Sequence, residues 1–404
     1  MLVTQSVALG GMETHCVDLA AEFVRRGRRV VAVIPEDEAL ALLAERFALA
    51  GAEVVRLNTD SRTGRLRQLA NLARFARRLR RLRPAVVHLH TGGATGGAGV
   101  VALARLAGAC GLVVTEHDVP AADAGCGQRL ARRALDAFAD TTVAVSRRNA
   151  GLRRARCAAI ERKFAVVLNG VPIPNLPDEL REEQRRDVRS GLSITETTIV
   201  FGSLVRLADG KGLPTLLEAF AEVRREFECK LLLVGDGPLR AALAAQAHEL
   251  GIEDDVLFAG EQRVPAPYLD AMDVFVLAVP AGSMSIALLE AMARGLPPII
   301  TFGGPEEAVI DAVTGLEAAP HDPIDLARAM RLLITDGALR HRLGKGAAAY
   351  VDSAFSVARV ADDLAEVYGV RRASKLPDRL RAAAAPAPPS WAEPALVADE
   401  GLAS

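Results

Sequence analysis

The chain has 404 residues, half of them hydrophobic and a quarter charged, with a formal net charge of −1. That length suits two domains, and that composition excludes collagen-like, disordered and small disulfide-stapled chains. Aromatic residues make up only 4%, which argues against a nucleic-acid surface built on stacked rings.

Charge is distributed unevenly. Residues 1–180 hold 26 Lys and Arg against 17 Asp and Glu, and the remainder holds 23 against 33. The cysteines (Cys16, Cys110, Cys126, Cys157 and Cys229) are odd in number and widely spaced, with no CxxC. This fits a reduced, cytoplasmic protein and supplies no metal motif. No run of 18 apolar residues occurs, so no spanning helix is expected. The start, MLVTQSVALGG, lacks a basic n-region and does not read as a signal peptide.

In chain order, Met1–Thr4 reads as a short strand before a glycine loop, and Thr14–Arg26 as a helix. Strands are expected at Arg29–Ile34, Ala85–Leu89, Gly111–Thr115, Thr141–Val145 and Ala165–Leu168. Gly170–Ile194, with three prolines and then a run of charge, reads as a linker entering a helix. A second series of strands follows at Thr198–Ser203, Lys230–Val234, Val256–Phe258, Val274–Leu277 and Pro298–Thr301. Helical patterns lie between them at Leu213–Phe227, Leu239–Leu250 and Ile286–Ala293. Alternation of this kind argues for two doubly wound domains with parallel sheets covered on both faces. Residues 373–404, which include AAAAPAPP, read as a disordered tail.

Several strand ends carry chemistry. Gly10 and Gly11 open the first helix, where free backbone N–H groups favour an anion or a sugar hydroxyl, although the pattern is not GxGxxG. Val86–Thr91 ends in His88 and His90, of which at least one is expected to be a satisfied core residue. Val113–Asp118 ends in His117, with no Ser or Cys nucleophile in a recognisable elbow nearby. In the second half, Arg206 and Lys211 flank glycines after a strand and could neutralise a diphosphate, one as a fork and one as a point charge. Val234–Pro238 is a glycine-rich turn. Ser283, Met284 and Ser285 open a helix in which Glu290 interrupts an apolar face and needs a partner.

Taken in order, GGMETH, VVHLHT, VVTEHD, AVS, LNGV, RLADGKG, LLVGDGP, SIALLEAMARGLPPI and FGGPEEAVIDAVTG make the chain resemble a family 4 retaining glycosyltransferase of GT-B fold. The resemblance runs from about residue 3 to residue 369. It implies two Rossmann-like domains facing across a cleft: an acceptor-side domain at 1–172, joined by a returning helix at about 354–372, and a nucleotide-sugar-binding domain at 173–353. It implies that Arg206 and Lys211 clamp the donor diphosphate, that His117 lies near the donor sugar, and that Gly10 and Gly11 approach the diphosphate. It also implies that Glu290 is the second glutamate of an E-x7-E motif and binds ribose hydroxyls. No cofactor or catalytic metal is implied, the donor being a UDP- or GDP-linked sugar consumed as substrate.

One position departs from the family. The first glutamate of E-x7-E falls at 282, where this chain has Gly282, and Gly282, Ser283, Met284 and Ser285 replace the family's E-G-F-G. No acid lies between Asp273 and Glu290, so a shift of register does not restore it. Altered donor contacts are the expectation. The alternatives are a non-catalytic nucleotide-sugar-binding or partner protein of this fold, or a sugar-nucleotide epimerase.

Arg62–Arg83 holds nine arginines and no acid. Leu66, Leu69, Ala73, Ala76 and Leu79 are expected on one helical face. The stretch suits peripheral contact with anionic lipid at the inner face of a membrane, in keeping with a glycan or lipid-linked acceptor, or else a solvated cationic helix. A nucleic-acid partner is not expected, because no recognition motif accompanies the charge.

Overall fold

A computed structural model describes residues 1–4, 10–57, 65–92, 97–117, 133–156, 163–280, 284–302, 307–369 and 380. By contact the chain forms two units. The first comprises Met1–Ile173, Gly282–Glu290 and Phe355–Ala384, and the second Pro174–Ala281, Ala291–Ala354 and Ala385–Ser404.

The first unit holds strands β1 (Leu2–Thr4), β2 (Val31–Ile34), β3 (Glu53–Arg56), β4 (Val86–Thr91), β5 (Gly111–Glu116), β6 (Thr141–Ala144) and β7 (Phe164–Val166). They pair in the order β3-β2-β1-β4-β5-β6-β7, all parallel. Its helices include α1 (Gly11–Arg25), α2 (Ala41–Leu49), α3 (Arg65–Leu82), α4 (Ala98–Leu106) and α5 (Arg147–Arg156). The central strands are buried on both faces because both are covered. On one side lie Leu19, Phe23, Leu43 and Phe47 from α1 and α2, and on the other Phe75, Leu79, Val100 and Val101 from α3 and α4.

The second unit holds β8 (Ile199–Leu204), β9 (Cys229–Val234), β10 (Val256–Gly260), β11 (Val274–Leu277), β12 (Pro298–Thr301) and β13 (Leu316–Ala318), in the order β10-β9-β8-β11-β12-β13. These pairings are parallel too. Helices α6 (Asp178–Gly191), α7 (Leu213–Arg224), α8 (Arg240–Glu249), α9 (Ala266–Asp270), α10 (Ile286–Ala293), α11 (Pro323–Thr335) and α12 (Gly337–Ala354) follow in chain order, and the contact boundary falls within α10. Phe220, Leu243, Leu326 and Met330 of α7, α8 and α11 fill one core. Buried Arg189 of α6 donates to the carbonyls of Ala271, Thr195, Glu196 and Thr198 and to the Asp273 carboxylate, tying the linker helix to the sheet.

The last helix, α13 (Val357–Gly369), belongs to the first unit. Val360, Ala361, Leu364 and Val367 are buried in the core shared with α1. Arg26 of α1 bonds both Asp362 and the carbonyl of Ala358. Gly170, where the chain leaves the β7 region, has no room for a side chain, since a Cβ there meets the carbonyls of Phe355 and Ser356 at 2.8 and 3.1 Å. Val171 N–H donates to the Phe355 carbonyl and Val357 N–H donates back to the Val171 carbonyl, each at 2.9 Å.

The expected disordered tail at 373–404 lies outside the described residues except for Leu380, which is buried in the first unit's core. The expected apolar face of α3 needs correction. Ala73 is exposed, and the buried ridge is Asn71, Phe75 and Leu79, one every four residues. The side chains of Leu66 and Leu69, and residues 62–64, lie outside the description. Two of the arginines are paired within the unit, Arg74 with Glu36 and Arg78 with Glu53, while Arg77, Arg80, Arg81 and Arg83 are exposed. No helix among the described residues is long and apolar enough to cross a membrane, and the described cysteines, Cys16, Cys110 and Cys229, are free thiols.

Candidate functional site

In an open parallel sheet, ligands bind outside the carboxyl ends of the strands, where the strand order reverses. That point lies between β1 and β4 in the first sheet and between β8 and β11 in the second. In the first unit, the segment after β1 leads to Gly10 and Gly11, and β4 ends at His90 and Thr91. In the second, β8 leads into Arg206–Gly212, and β11 into residues 278–285.

The first unit gathers four imidazoles. Parallel pairing sets His90 opposite Thr115, so His117, two residues further, falls on the same face. His117 N–H donates to the Thr91 carbonyl at 3.0 Å, and Asn149 Nδ2 donates to the His117 carbonyl at 3.2 Å. The Nδ1 of His90 lies 3.1 Å from Nε2 of His117. His15, one turn into α1, donates from Nδ1 to the Gly170 carbonyl at 3.0 Å, and its ring lies 5.9 Å from that of His117. His88 is satisfied on both nitrogens, by Tyr368 Oη at 2.8 Å and Thr115 Oγ1 at 2.7 Å, as expected of a core histidine. Burial pushes all four below the usual histidine range, His15 to about 4, and the neighbouring imidazoles push His88, His90 and His117 further down. They are therefore neutral at pH 7. Among the described residues, no group of three or more His, Cys, Asp or Glu is placed to hold a metal ion.

A buried ion cluster braces this strand tip. Arg153 of α5 bonds Glu116, the neighbour of His117, at 3.2 Å and Asp136 at 2.6 Å. Removing the cation takes this charge partner from two buried carboxylates. Arg153→Ala is expected to destabilise the first unit by about 3–5 kcal/mol, read by chemical unfolding. A loss below ~1 kcal/mol would show that solvent already screens the cluster.

The helix-opening residues belong to the same unit by contact. Gly10 caps α1 with no side-chain bond, at a helix end whose dipole and N–H groups favour an anion. Gly10 and Gly11 are exposed, and added Cβ atoms would meet only Glu13 Oε2 at 3.1 Å and Ile286 at 3.4 Å. Ser285 caps α10, its hydroxyl accepting from Leu288 N–H at 3.3 Å, and Asn169 Nδ2 donates to the Met284 carbonyl at 3.4 Å. Met284 is buried, and Ser285 and Glu290 are half-buried. Asp18 of α1, which the sequence reading missed, answers Glu290. Burial first and the Glu290 charge second raise the Asp18 carboxyl to about 7, against a smaller pull from Arg46. Gly282 and Ser283 lie outside the described residues.

The second unit carries Arg206 and Lys211 on a loop whose backbone is pinned. Val205 N–H donates to Val234 O and Leu207 N–H to Asp236 O, both at 3.0 Å, and Leu207 is fully buried. The Val234–Pro238 turn is therefore more than a turn, because it is the bed of the cationic loop. Gly235 has φ +130°, and a side chain there would strike the Val205 carbonyl. Gly212, at φ +67°, closes the loop against the carbonyl of Ala278 beyond β11 in the same way. Arg206 is exposed and Lys211 half-buried, and neither side chain has a hydrogen-bond or ion-pair partner among the described residues. Two cations on a pinned loop, with no protein partner among the described residues, form a ready site for an anion. The structure thus gathers His117, Gly10, Gly11, Met284, Ser285 and Glu290 in the first unit and Arg206 with Lys211 in the second.

Two Rossmann-like sheets with these sites at their switch points define a protein of GT-B fold. Residues 9–173 match the family described as Glycosyltransferase Family 4, and residues 184–350 match Glycosyl transferases group 1. The chain belongs to glycosyltransferase family 4.

Among curated relatives it is 34% identical over 158 residues (39% of this chain, 46% of the relative) to the lipopolysaccharide core biosynthesis glycosyltransferase LpsE of Rhizobium meliloti. It is 32% identical over 179 residues (44% and 46%) to N-acetyl-alpha-D-glucosaminyl L-malate synthase of Bacillus anthracis. The match thus spans about half the length of these relatives. Among solved structures, Anabaena Alr3699/HepE in complex with UDP has a TM-score of 0.76 at 21% identity, covering 91% of this chain and 98% of that one. That likeness is one of fold.

Proposed function

We propose that this protein transfers a sugar from a nucleotide-sugar donor to a hydroxyl acceptor, with retention at the anomeric carbon, in the assembly of a surface polysaccharide or glycolipid. The observation that carries the reading is the loop after β8, where Arg206 and Lys211 stand without protein partners among the described residues on a backbone fixed by its neighbours. Such a pair neutralises a diphosphate and stabilises the charge that develops as it leaves, at no reorganisation cost. A UDP- or GDP-linked sugar supplies that group. The family motif supports Glu290 as the group that accepts bonds from ribose hydroxyls and His117 as the group that faces the donor sugar. Gly282, where the family has a glutamate, is the position at which donor contacts differ. The exposed arginines Arg77, Arg80, Arg81 and Arg83 support peripheral attachment to anionic lipid at the cytoplasmic face, where a lipid-linked acceptor would be met.

The test is a thermal-shift screen against UDP-, GDP- and ADP-sugars, followed by product analysis with the donor that stabilises the protein. Transfer or slow hydrolysis of that donor is expected. Tight nucleotide binding with neither reaction would leave a binding protein, and isomerised donor without acceptor an epimerase.

A further inference from the structure

His90 makes one hydrogen bond, through Nδ1 to Nε2 of His117 at 3.1 Å. Its other nitrogen, Nε2, is buried and has no partner among the described residues. Both rings are almost fully shielded from solvent, and the His88 ring packs over His90 with centroids 4.1 Å apart. A single proton sits between the two bonded nitrogens, and it belongs to one ring or the other. If His117 donated it, His90 would carry its own proton on Nε2, a buried N–H aimed at no acceptor. If His90 donates it, the orphan on His90 is a bare lone pair, and the unpaired N–H moves to His117 Nδ1, which, unlike His90 Nε2, is not a fully buried atom. Orphaned buried N–H groups are rare in folded proteins.

We infer that His90 is a positioning residue: it donates from Nδ1 to Nε2 of His117 and so locks His117 as the tautomer protonated on Nδ1. Neutral imidazole carries one N–H, so fixing Nε2 as acceptor places the proton on the other nitrogen. That Nδ1 has no partner among the described residues. His117 therefore offers its ligand a hydrogen-bond donor and no basic nitrogen. The group it meets is an acceptor, such as a sugar hydroxyl oxygen or a phosphate oxygen, and no proton is taken up at His117 when the acceptor hydroxyl reacts. Burial keeps both rings neutral, which rules out an imidazolium with protons on every nitrogen. His15 shows the same device with a different partner. The Gly170 carbonyl holds its proton on Nδ1. The tautomer is independent of the proposed transfer reaction, and only its use at the donor rests on that reading.

The test is ring nitrogen–proton NMR correlation on the full chain labelled with 15N-histidine, with the His117 signals identified by their loss in His117→Asn. A protonated Nδ1 and a bare Nε2 are expected in the unsubstituted protein, and a proton on Nε2 overturns the inference whether or not the protein transfers sugar. Two variants then test the role of His90. His90→Phe keeps a ring but offers no N–H, and His117 is expected to populate both tautomers. His90→Asp offers only acceptors and is expected to move the His117 proton to Nε2. An unchanged Nδ1–H form in either folded variant shows that something other than His90 sets the tautomer. Where a transferable donor has been found, its KM is expected to rise about tenfold in His90→Asp, as for a lost hydrogen bond, while the fold's melting temperature in His90→Phe reports the packing contribution separately.

Discussion

Replacing Arg206 and Lys211 together by alanine is expected to weaken binding of a nucleoside diphosphate by at least ~100-fold. Hydrogen bonds to charged groups are each worth about 1.5–3 kcal/mol, and about 1.4 kcal/mol is tenfold in affinity. The two losses add where both cations touch one pyrophosphate. Stability should hardly change, because neither side chain has a protein partner among the described residues and the loop is held through the Val205 and Leu207 backbones. Calorimetric titration of UDP and GDP into a double variant with an unshifted melting temperature makes the measurement clean. Affinity equal to that of the unsubstituted protein would remove the second unit's loop from the site.

The second large effect is acid lability of the first unit. The folded pKa of His15 is about 4, below the ordinary value near 6.5, so between those values the unfolded chain binds a proton that the folded chain refuses. Stability from this source is present above pH ~6.5 and is lost as pH falls toward 4. His88, His90 and His117 are shifted in the same direction, by burial first. Asp18 opposes them. Its carboxyl, raised to about 7, takes up a proton in the fold across the same window and so eases the fall. Each unfolded imidazole gains roughly 2 kcal/mol of protonation free energy between pH 7 and 5, so Asp18 about offsets His15, and the net loss of stability comes from His88, His90 and His117. Denaturant midpoints at the two pH values, followed by circular dichroism, check this. A midpoint at pH 5 equal to that at pH 7 would mean that the cluster opens to water instead of staying dry.

What could be read from the sequence follows from how each element is buried. β11 and β12 fall where expected because continuous apolar runs mark strands covered on both faces. β3 and β13 escape that test. They are sheet-edge strands, β3 is half-exposed along its length, and neither has an apolar run to betray it. On α3 the leucines and alanines suggested one face, yet Phe75 and Asn71 are what the sheet selects, since contact decides over composition. His117 and the arginine–lysine pair were legible from their positions after strands. The His90–His117 bond and the Asp18–Glu290 pair were not, because strand register and tertiary packing create them. The sole hint of His15 was its spacing of one helical turn beyond the glycines.

The paired N–H···O=C links between Val171 and the Phe355–Val357 segment bear on synthesis. A ribosome delivers this chain from the amino end, and domains usually fold as they emerge. Here the seven-stranded half cannot do so completely. A stripe of Val360, Ala361, Leu364 and Val367, and the tyrosine that satisfies His88, are made only after the whole six-stranded half has been translated. The stripe that completes the first unit's core is thus supplied late, and until it arrives the face of α1 that it covers stays open.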